Sequence, residues 1–145
     1  MSTSDAHRAV SLRRTSAGRY VATNARGGEL AFGSGADDDF TPVELLLAAM
    51  GGCSAIDVDI LTTRRSEPDQ FDVEVGAEKL RDEQGNHLGP VELTFRVRFP
   101  DDGGGDAARD LLPDAVRKSH ERLCTVSRTV ELATPVSVRI DDSPR

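Results

Sequence analysis

Apolar residues between Thr41 and Arg65 cover nearly every side of a predicted helix, as in a helix buried on most sides. Thr41 suits the N-cap, Pro42 the first helical position and Glu44 the acidic position of a capping box. Gly51-Gly52 interrupts the apolar run, which predicts a kink or the close approach of another segment. We expect this helix to organise the fold, with a second copy of the chain helping to cover it.

Alternating apolar and polar residues predict strands on both sides of the helix. Three short segments predict an N-terminal antiparallel meander: Ala9–Arg13, Arg19–Thr23 and Glu29–Phe32. Two longer segments predict a hairpin, with Arg81–Gly89 as its long turn: Phe71–Leu80 and Val91–Phe99.

The last third of the chain predicts a helix, a turn with a short helix and a final strand, at Asp106–Leu123, Cys124–Leu132 and Val136–Ile140. We place the apolar side of this second helix at Ala107, Leu111, Leu112, Ala115 and Val116, with a loop before it at Asp101–Gly105. The order βββ-α-ββ-α-β predicts an α+β fold with largely antiparallel pairing.

Length and charge narrow the protein class. A chain of 145 residues predicts one domain, divided into a meander and acidic loop (1–40), the central helix (41–65), a β-hairpin (70–100) and a C-terminal part (106–140). The net charge of −7 argues against nucleic-acid binding. The N-terminus lacks the apolar core of a signal peptide, and Glu44, Asp57 and Asp59 make the helix too polar for a membrane span. We therefore expect a cytoplasmic protein.

The cysteines, Cys53 and Cys124, lie too far apart for a CxxC redox or zinc-ribbon motif. Residue pattern alone favours two unrelated structural cysteines, because free cysteine is among the most buried residue types. The two cysteines could form a four-ligand zinc site together with His120 and Asp57, but no sequence motif supports such a site.

PVELLLAAMGGCSAIDV, followed far downstream by LCTVS, resembles the OsmC/Ohr family of osmotically induced and organic hydroperoxide resistance proteins. The resemblance covers Phe40 to Ile140 in order and spacing. It implies an OsmC-like fold, with antiparallel sheets packed around the long central helix of an intertwined homodimer. Details around Cys53 are closer to the less characterised OsmC-like branch.

The resemblance also implies a cysteine-based peroxidase for organic hydroperoxides, with hydrogen peroxide as a further candidate substrate, in oxidative stress defence. Cys53 would attack the peroxide and become a sulfenic acid, and Cys124 would condense with it to a disulfide. A dithiol, in one branch a lipoylated protein, would reduce that disulfide. No metal, flavin or haem cofactor is implied.

A reactive Cys53 needs a nearby cation, because burial in an apolar helix and the neighbouring Asp57 both raise its pKa. In the family an arginine from the N-terminal strands supplies the charge, held by the glutamate that Glu44 matches. Arg26 is the better candidate here and Arg19 the other, although neither aligns with the family position.

Two roles are open for Glu44. It can form the capping box with Thr41, or it can hold the arginine that acts on Cys53. Nine residues of straight helix place Glu44 and Cys53 on opposite faces, about 13 Å apart along the axis. If Glu44 serves a Cys53 site, we therefore expect that site to belong to the other subunit.

A locally basic segment precedes and follows Cys124: Arg117, Lys118, His120, Arg122 and Arg128. The simpler interpretation is that cations are favourable at a helix C-terminus. The alternative hypothesis is that His120 or Arg122 helps to stabilise a cysteine thiolate. The departures near Cys53 also keep open a second function class. In that class the chain is a non-catalytic OsmC-like protein that binds a small apolar ligand or acts as a redox-sensitive interaction protein.

Overall fold

The structure is a computed structural model that describes residues 5–142. Seven strands occur in this part of the chain: β1 Val10–Ser16, β2 Arg19–Asn24, β3 Glu29–Gly33, β4 Gln70–Gly76, β5 Lys79–Asp82, β6 Gly85–Leu88 and β7 Glu92–Arg98. The helical elements are α1 Pro42–Thr63, α2 Gly103–Lys118, a π-helical turn Ser119–Leu123 and α3 Thr125–Glu131. The predicted α+β class with antiparallel pairing is confirmed.

Residue contacts divide the chain into two compact units, and the single domain expected from the sequence stays a prediction. The first unit ends at Leu47 and the second begins at Ala48, so α1 contributes residues to both. Each unit is described by itself below.

The first unit is an antiparallel sheet in the order β1-β2-β3, followed by a loop and the start of α1. Tyr20 pairs with Phe32 across β2 and β3, and their rings stack with centroids 5.7 Å apart. Asp37 of the loop forms a salt bridge with Arg19 of β2. The predicted meander is therefore present, with strands that begin or end up to three residues from the predicted bounds.

The second unit has an antiparallel pair of strands, β4 and β7, whose apolar residues alternate as predicted. Val73 lies opposite Phe95 and Val75 opposite Leu93, and the Phe71 and Phe95 rings pack edge to face with centroids 6.3 Å apart. The prediction of a plain turn at Arg81–Gly89 was wrong. Residues 79–88 form a second hairpin of β5 and β6, because Gly85 takes a positive φ of 95° and permits a tight turn.

Helix α1 buries one stripe at the spacing of helical turns: Met50, Gly51, Ser54, Val58 and Thr62. Other large apolar residues of the helix are exposed in the single chain, among them Val43, Leu46, Ile56 and Ile60. The expected burial on most sides is therefore absent within one chain. By length and composition α1 could also cross a membrane, a test that the core helix of a soluble protein passes too.

Gly51 brings α1 close to β4. A Cβ at Gly51 would lie 2.5 Å from Cγ2 of Val75 and 3.7 Å from Cγ1 of Val73, whereas a Cβ at Gly52 would meet nothing within 4 Å. The interruption in the apolar run therefore marks a close approach at its first glycine, one of the two outcomes predicted.

Helix α2 begins three residues before the predicted start, inside the expected loop. The Asp102 side chain caps it by accepting a hydrogen bond from the Gly105 N–H at 2.7 Å, and this cap overrides the low helix propensity of the glycine run. Ala108 rather than Ala107 faces inward, which corrects the predicted apolar side. Pro113 lies inside the helix without ending it.

The predicted last strand, Val136–Ile140, is not a strand in the structure. Its apolar residues Val136, Val138 and Ile140 are more than four-fifths exposed. Alternation alone does not make a strand, because a strand also needs a neighbour for its backbone hydrogen bonds.

Candidate active site

Cys53 and Cys124 contact each other in the second unit, although they are distant in the sequence. Cys53 lies on α1, and Cys124 lies between the π-helical turn and α3. Cys124 is one of the groups that raise the pKa of Cys53, so the two thiols lie close together, and both are free. Cys124 is completely buried, while Cys53 is partly exposed. The structure thus brings together the two cysteines of the predicted site, with Cys53 the more accessible.

The first turn of α3 directs main-chain N–H groups at both sulfur atoms. The main chain of Val126 acts on Cys53 and lowers its pKa, and the Ser127 N–H donates to Sγ of Cys124 at 3.4 Å. Cys124 is also the N-cap of α3, since it has extended backbone angles and its side chain accepts this hydrogen bond. Such donors favour the ionised form of a sulfur, so the Val126 bond lowers the pKa of Cys53.

The pKa of Cys53 is nevertheless raised above the ordinary thiol value of 9.0. Burial is the largest cause, the contacts with Cys124 add to it, and the charge of Asp57 has the smallest effect. Among residues 48–142, no cation is one of the groups that shift this pKa. At neutral pH the second unit by itself therefore holds Cys53 as a thiol.

A chain of buried hydroxyl groups joins α1 to the π-helical turn beside the cysteines. Ser119 Oγ lies 3.0 Å from Ser54 Oγ and donates to Oδ2 of Asp57 at 2.8 Å. Ser54 and Ser119 are 3% and 0% exposed. Sequence reasoning missed both serines. A detectable signal was present, because Ser54 is a polar residue inside the apolar run, directly after Cys53.

The two remaining predicted site residues belong to the first unit. Glu44 forms the predicted capping box: the Thr41 N–H donates to Oε1 of Glu44 at 2.9 Å, and the Glu44 N–H donates to Oγ1 of Thr41 at 3.2 Å. Arg26 is exposed in the turn between β2 and β3, where its N–H donates to Oδ1 of Asn24 at 3.0 Å. Their part in chemistry at Cys53 stays a prediction.

Two residues of the basic segment near Cys124 lie beside carboxylates. Arg117 binds Asp114 at 2.9 Å and Glu121 at 3.6 Å, and Nε2 of His120 lies 3.9 Å from Oε1 of Glu131. Arg117 and Lys118 lie in the last turn of α2, where the simpler interpretation expects cations. Across residues 5–142, no group of three or more His, Cys, Asp or Glu side chains is arranged to hold a metal ion.

A cavity of about 400 Å³ lies in the second unit beside the serine of α1. Its walls are mostly apolar side chains of β7, the segment before it and α2, joined by Ser54, His120 and Ser127. Both cysteine neighbours, Ser54 and Ser127, line it, although neither cysteine does. The volume is in the range of small-molecule sites.

The chain is similar in sequence to a known family and to known proteins. Residues 35–139 match the family model described as OsmC-like protein. The chain is 31% identical over 133 residues to an uncharacterized protein of Mycobacterium tuberculosis, covering 90% of this chain and 94% of the relative.

Two solved structures share the fold. A hypothetical protein from Aquifex aeolicus superposes with a TM-score of 0.68 at 24% identity, covering 88% of this chain and 89% of that one. The organic hydroperoxide resistance protein OhrB of Bacillus subtilis superposes with a TM-score of 0.53 at 18% identity, covering 85% and 90%. At these identities the similarity is evidence for the fold alone.

Proposed function

The chain belongs to the OsmC-like protein family, and from this premise we propose that it is a cytoplasmic thiol peroxidase that reduces organic hydroperoxides. The observation that carries the proposal is that the fold brings Cys53 close enough to Cys124 for the two thiols to influence each other. Two structural cysteines need not meet, whereas a peroxidatic cysteine and its resolving partner must. The greater exposure of Cys53 supports its assignment as the attacking residue.

The proposed reaction is a two-electron reduction. The Cys53 thiolate attacks one peroxide oxygen, the O–O bond breaks, and the sulfur becomes a sulfenic acid while the alkoxide takes a proton and leaves as an alcohol. The Cys124 thiol then attacks the sulfenic sulfur, which forms a disulfide and releases water. A dithiol reductant, such as a lipoyl group, restores both thiols by exchange and becomes a disulfide itself.

The raised pKa of Cys53 sets a requirement for this chemistry, because the thiolate is the nucleophile. We infer that a cation completes the site when two copies of the chain associate. Arg26 is the proposed cation, held by Glu44 of the other copy. The apolar cavity beside Ser54 favours a peroxide with an organic group over a fully polar one.

A homodimer is also supported by apolar surface that the single chain leaves uncovered. Ile56 and Ile60 of α1 are 62% and 55% exposed, and Val138 in the C-terminal segment is 87% exposed. Exposed apolar residues in such number are typical of an interaction surface. Sedimentation equilibrium should give twice the chain mass of 15.6 kDa, and Ile56→Lys should shift the mass toward that of one chain.

Thiol counting tests the proposed function. The fully reduced protein is mixed with one equivalent of cumene hydroperoxide, and free thiols and cumyl alcohol are measured. We expect the loss of two thiols per alcohol formed. Cys124→Ser should lose one thiol and yield a sulfenic acid that dimedone traps, while Cys53→Ser should lose none. Retention of both thiols in the unaltered protein would contradict the proposal.

A second candidate function is non-catalytic binding of a small apolar molecule. The cavity of about 400 Å³ and the raised pKa of Cys53 favour it. In that case cumene hydroperoxide leaves both thiols intact, and an apolar fluorescent probe binds the protein. Replacing Leu93, which lines the cavity, with Glu should then abolish probe binding.

A further inference from the structure

Ser54, Ser119 and Asp57 form a hydrogen-bonded network that has no role in the proposed peroxide reduction. Ser119 has a single hydroxyl hydrogen, which it donates to Oδ2 of Asp57 at 2.8 Å. An ionised carboxylate only accepts, so Ser54 donates in the other bond, at 3.0 Å. Both serine hydroxyls therefore have a partner, and α1 is joined to the π-helical turn by two hydrogen bonds, one buried and one partly buried.

The main chain connects the same residue to the resolving cysteine. The Cys124 N–H donates to the carbonyl oxygen of Ser119 at 2.8 Å, which closes the π-helical turn. Ser119 thus contacts α1 through its side chain and Cys124 through its backbone. On α1, Ser54 directly follows Cys53, and Asp57 lies one helical turn after Cys53.

We propose that Ser119 is a positioning residue for the cysteine pair: it fixes the π-helical turn on α1 and thereby holds Cys124 against Cys53. The inference deepens the proposed function, because it concerns the same pair. Three observations support the proposal together. Ser119 is completely buried, its side chain bonds Ser54 and Asp57, which follow Cys53 on α1, and its carbonyl oxygen accepts a hydrogen bond from the Cys124 N–H. Short π-helical turns are rare and often lie at functional sites.

The test measures how strongly the folded protein favours the disulfide, without any peroxide. In glutathione buffers the reduced protein and glutathione disulfide give the protein disulfide and two glutathione thiols, so the equilibrium constant reports the effective concentration of the two sulfurs. Ser119→Ala removes both side-chain hydrogen bonds of Ser119, and we expect it to lower this constant about tenfold. Ser54→Ala should lower it less, because the bond to Asp57 remains.

Two variants of Asp57 separate the hydrogen bond from the charge. Asp57→Asn and Asp57→Ala both remove the carboxylate charge, but only asparagine keeps an oxygen that accepts from Ser119. We expect the alanine variant to lower the constant, though less than Ser119→Ala because the bond between Ser54 and Ser119 remains, and the asparagine variant to retain most of it. Equal constants for the two variants would overturn the proposal.

Thr62→Val serves as the matched control for loss of a buried hydroxyl. Thr62 is fully buried on α1. Its hydroxyl donates to the carbonyl oxygen of Val58 in the same helix, at 2.8 Å. It should change thermal stability while leaving the disulfide constant within about twofold of the unaltered protein. A Ser119→Ala constant equally unchanged would reduce Ser119 to a purely structural residue and overturn the proposal.

Failure of this inference and failure of the proposed function give different results. A normal disulfide constant that falls in Ser119→Ala, together with no peroxide reduction, supports the positioning role and contradicts the peroxidase. An unaltered protein that forms no intramolecular disulfide in any buffer overturns the positioning role and removes the resolving step as well.

Discussion

Gly51→Ala is expected to destabilise the protein even though alanine is the better helix former. The substitution adds a Cβ that would lie 2.5 Å from Cγ2 of Val75 on β4. Contacts that short do not persist, and valine is stiff about its first side-chain torsion, so the helix or the strand must shift. Gly52→Ala is the natural comparison, because a Cβ there meets nothing within 4 Å.

The two substitutions should differ by about 1 to 3 kcal/mol in unfolding free energy. Both gain up to about 1 kcal/mol from the higher helix propensity of alanine. Only Gly51→Ala also has the cost of overpacking, typically about 1 to 3 kcal/mol. We therefore expect Gly52→Ala to stabilise by as much as about 1 kcal/mol and Gly51→Ala to be neutral or to destabilise by up to about 2 kcal/mol.

Urea unfolding at one protein concentration measures the difference, since association of copies would make the midpoint depend on concentration. A double-mutant cycle with Val75→Ala isolates the contact, because that change removes the methyl group that Gly51→Ala meets. We expect a favourable coupling of about 1 to 2 kcal/mol. Equal stabilisation by the two glycine variants, with no coupling to Val75, would refute the close approach of α1 and β4.

Three further predictions concern charge and capping. Asp57→Asn should lower the pKa of Cys53 and raise its alkylation rate by iodoacetamide at pH 7 about twofold, because the carboxylate contributes the smallest part of the upward shift; an unchanged rate would contradict it. Thr41→Ala should cost about 1 kcal/mol of stability while Glu44→Gln costs less, since glutamine also suits a capping box; loss of peroxide reduction in the stably folded Glu44→Gln would show that the glutamate does more than cap. In Ile56→Lys, which should separate the copies, the folded chain holds the Cys53 proton more tightly than the unfolded chain, so stability should fall as pH rises from about 9 through the raised pKa, and an added Cys53→Ser should flatten that fall in pH-dependent unfolding curves.

Local patterns predicted the elements whose stability is mostly local. The capping box at Thr41 and Glu44 was readable because its residue types and spacing are specific. The alternation in β4 and β7 was readable because one face of that pair is packed. The contact of Cys53 with Cys124 was expected from the family resemblance and not from residue spacing.

Other features depend on tertiary contacts that the sequence pattern does not contain. The glycine run before Asp106 predicts a loop, but the cap from Asp102 starts α2 within it. The segment Val136–Ile140 has the alternation of a strand without a neighbouring strand in the structure. The bonds of Ser54 and Ser119 join residues far apart in the chain, so the sequence pattern does not show that the two serines meet.

Peptide mapping after oxidation tests the central claim most directly. The reduced protein is treated with one equivalent of cumene hydroperoxide, alkylated without reductant, digested and examined by mass spectrometry. We predict one cross-linked peptide pair that joins Cys53 to Cys124 within a single chain and disappears on treatment with dihydrolipoamide. Two alkylated thiols, or a Cys53 oxidised to sulfinic acid beside an intact Cys124 thiol, would contradict the account.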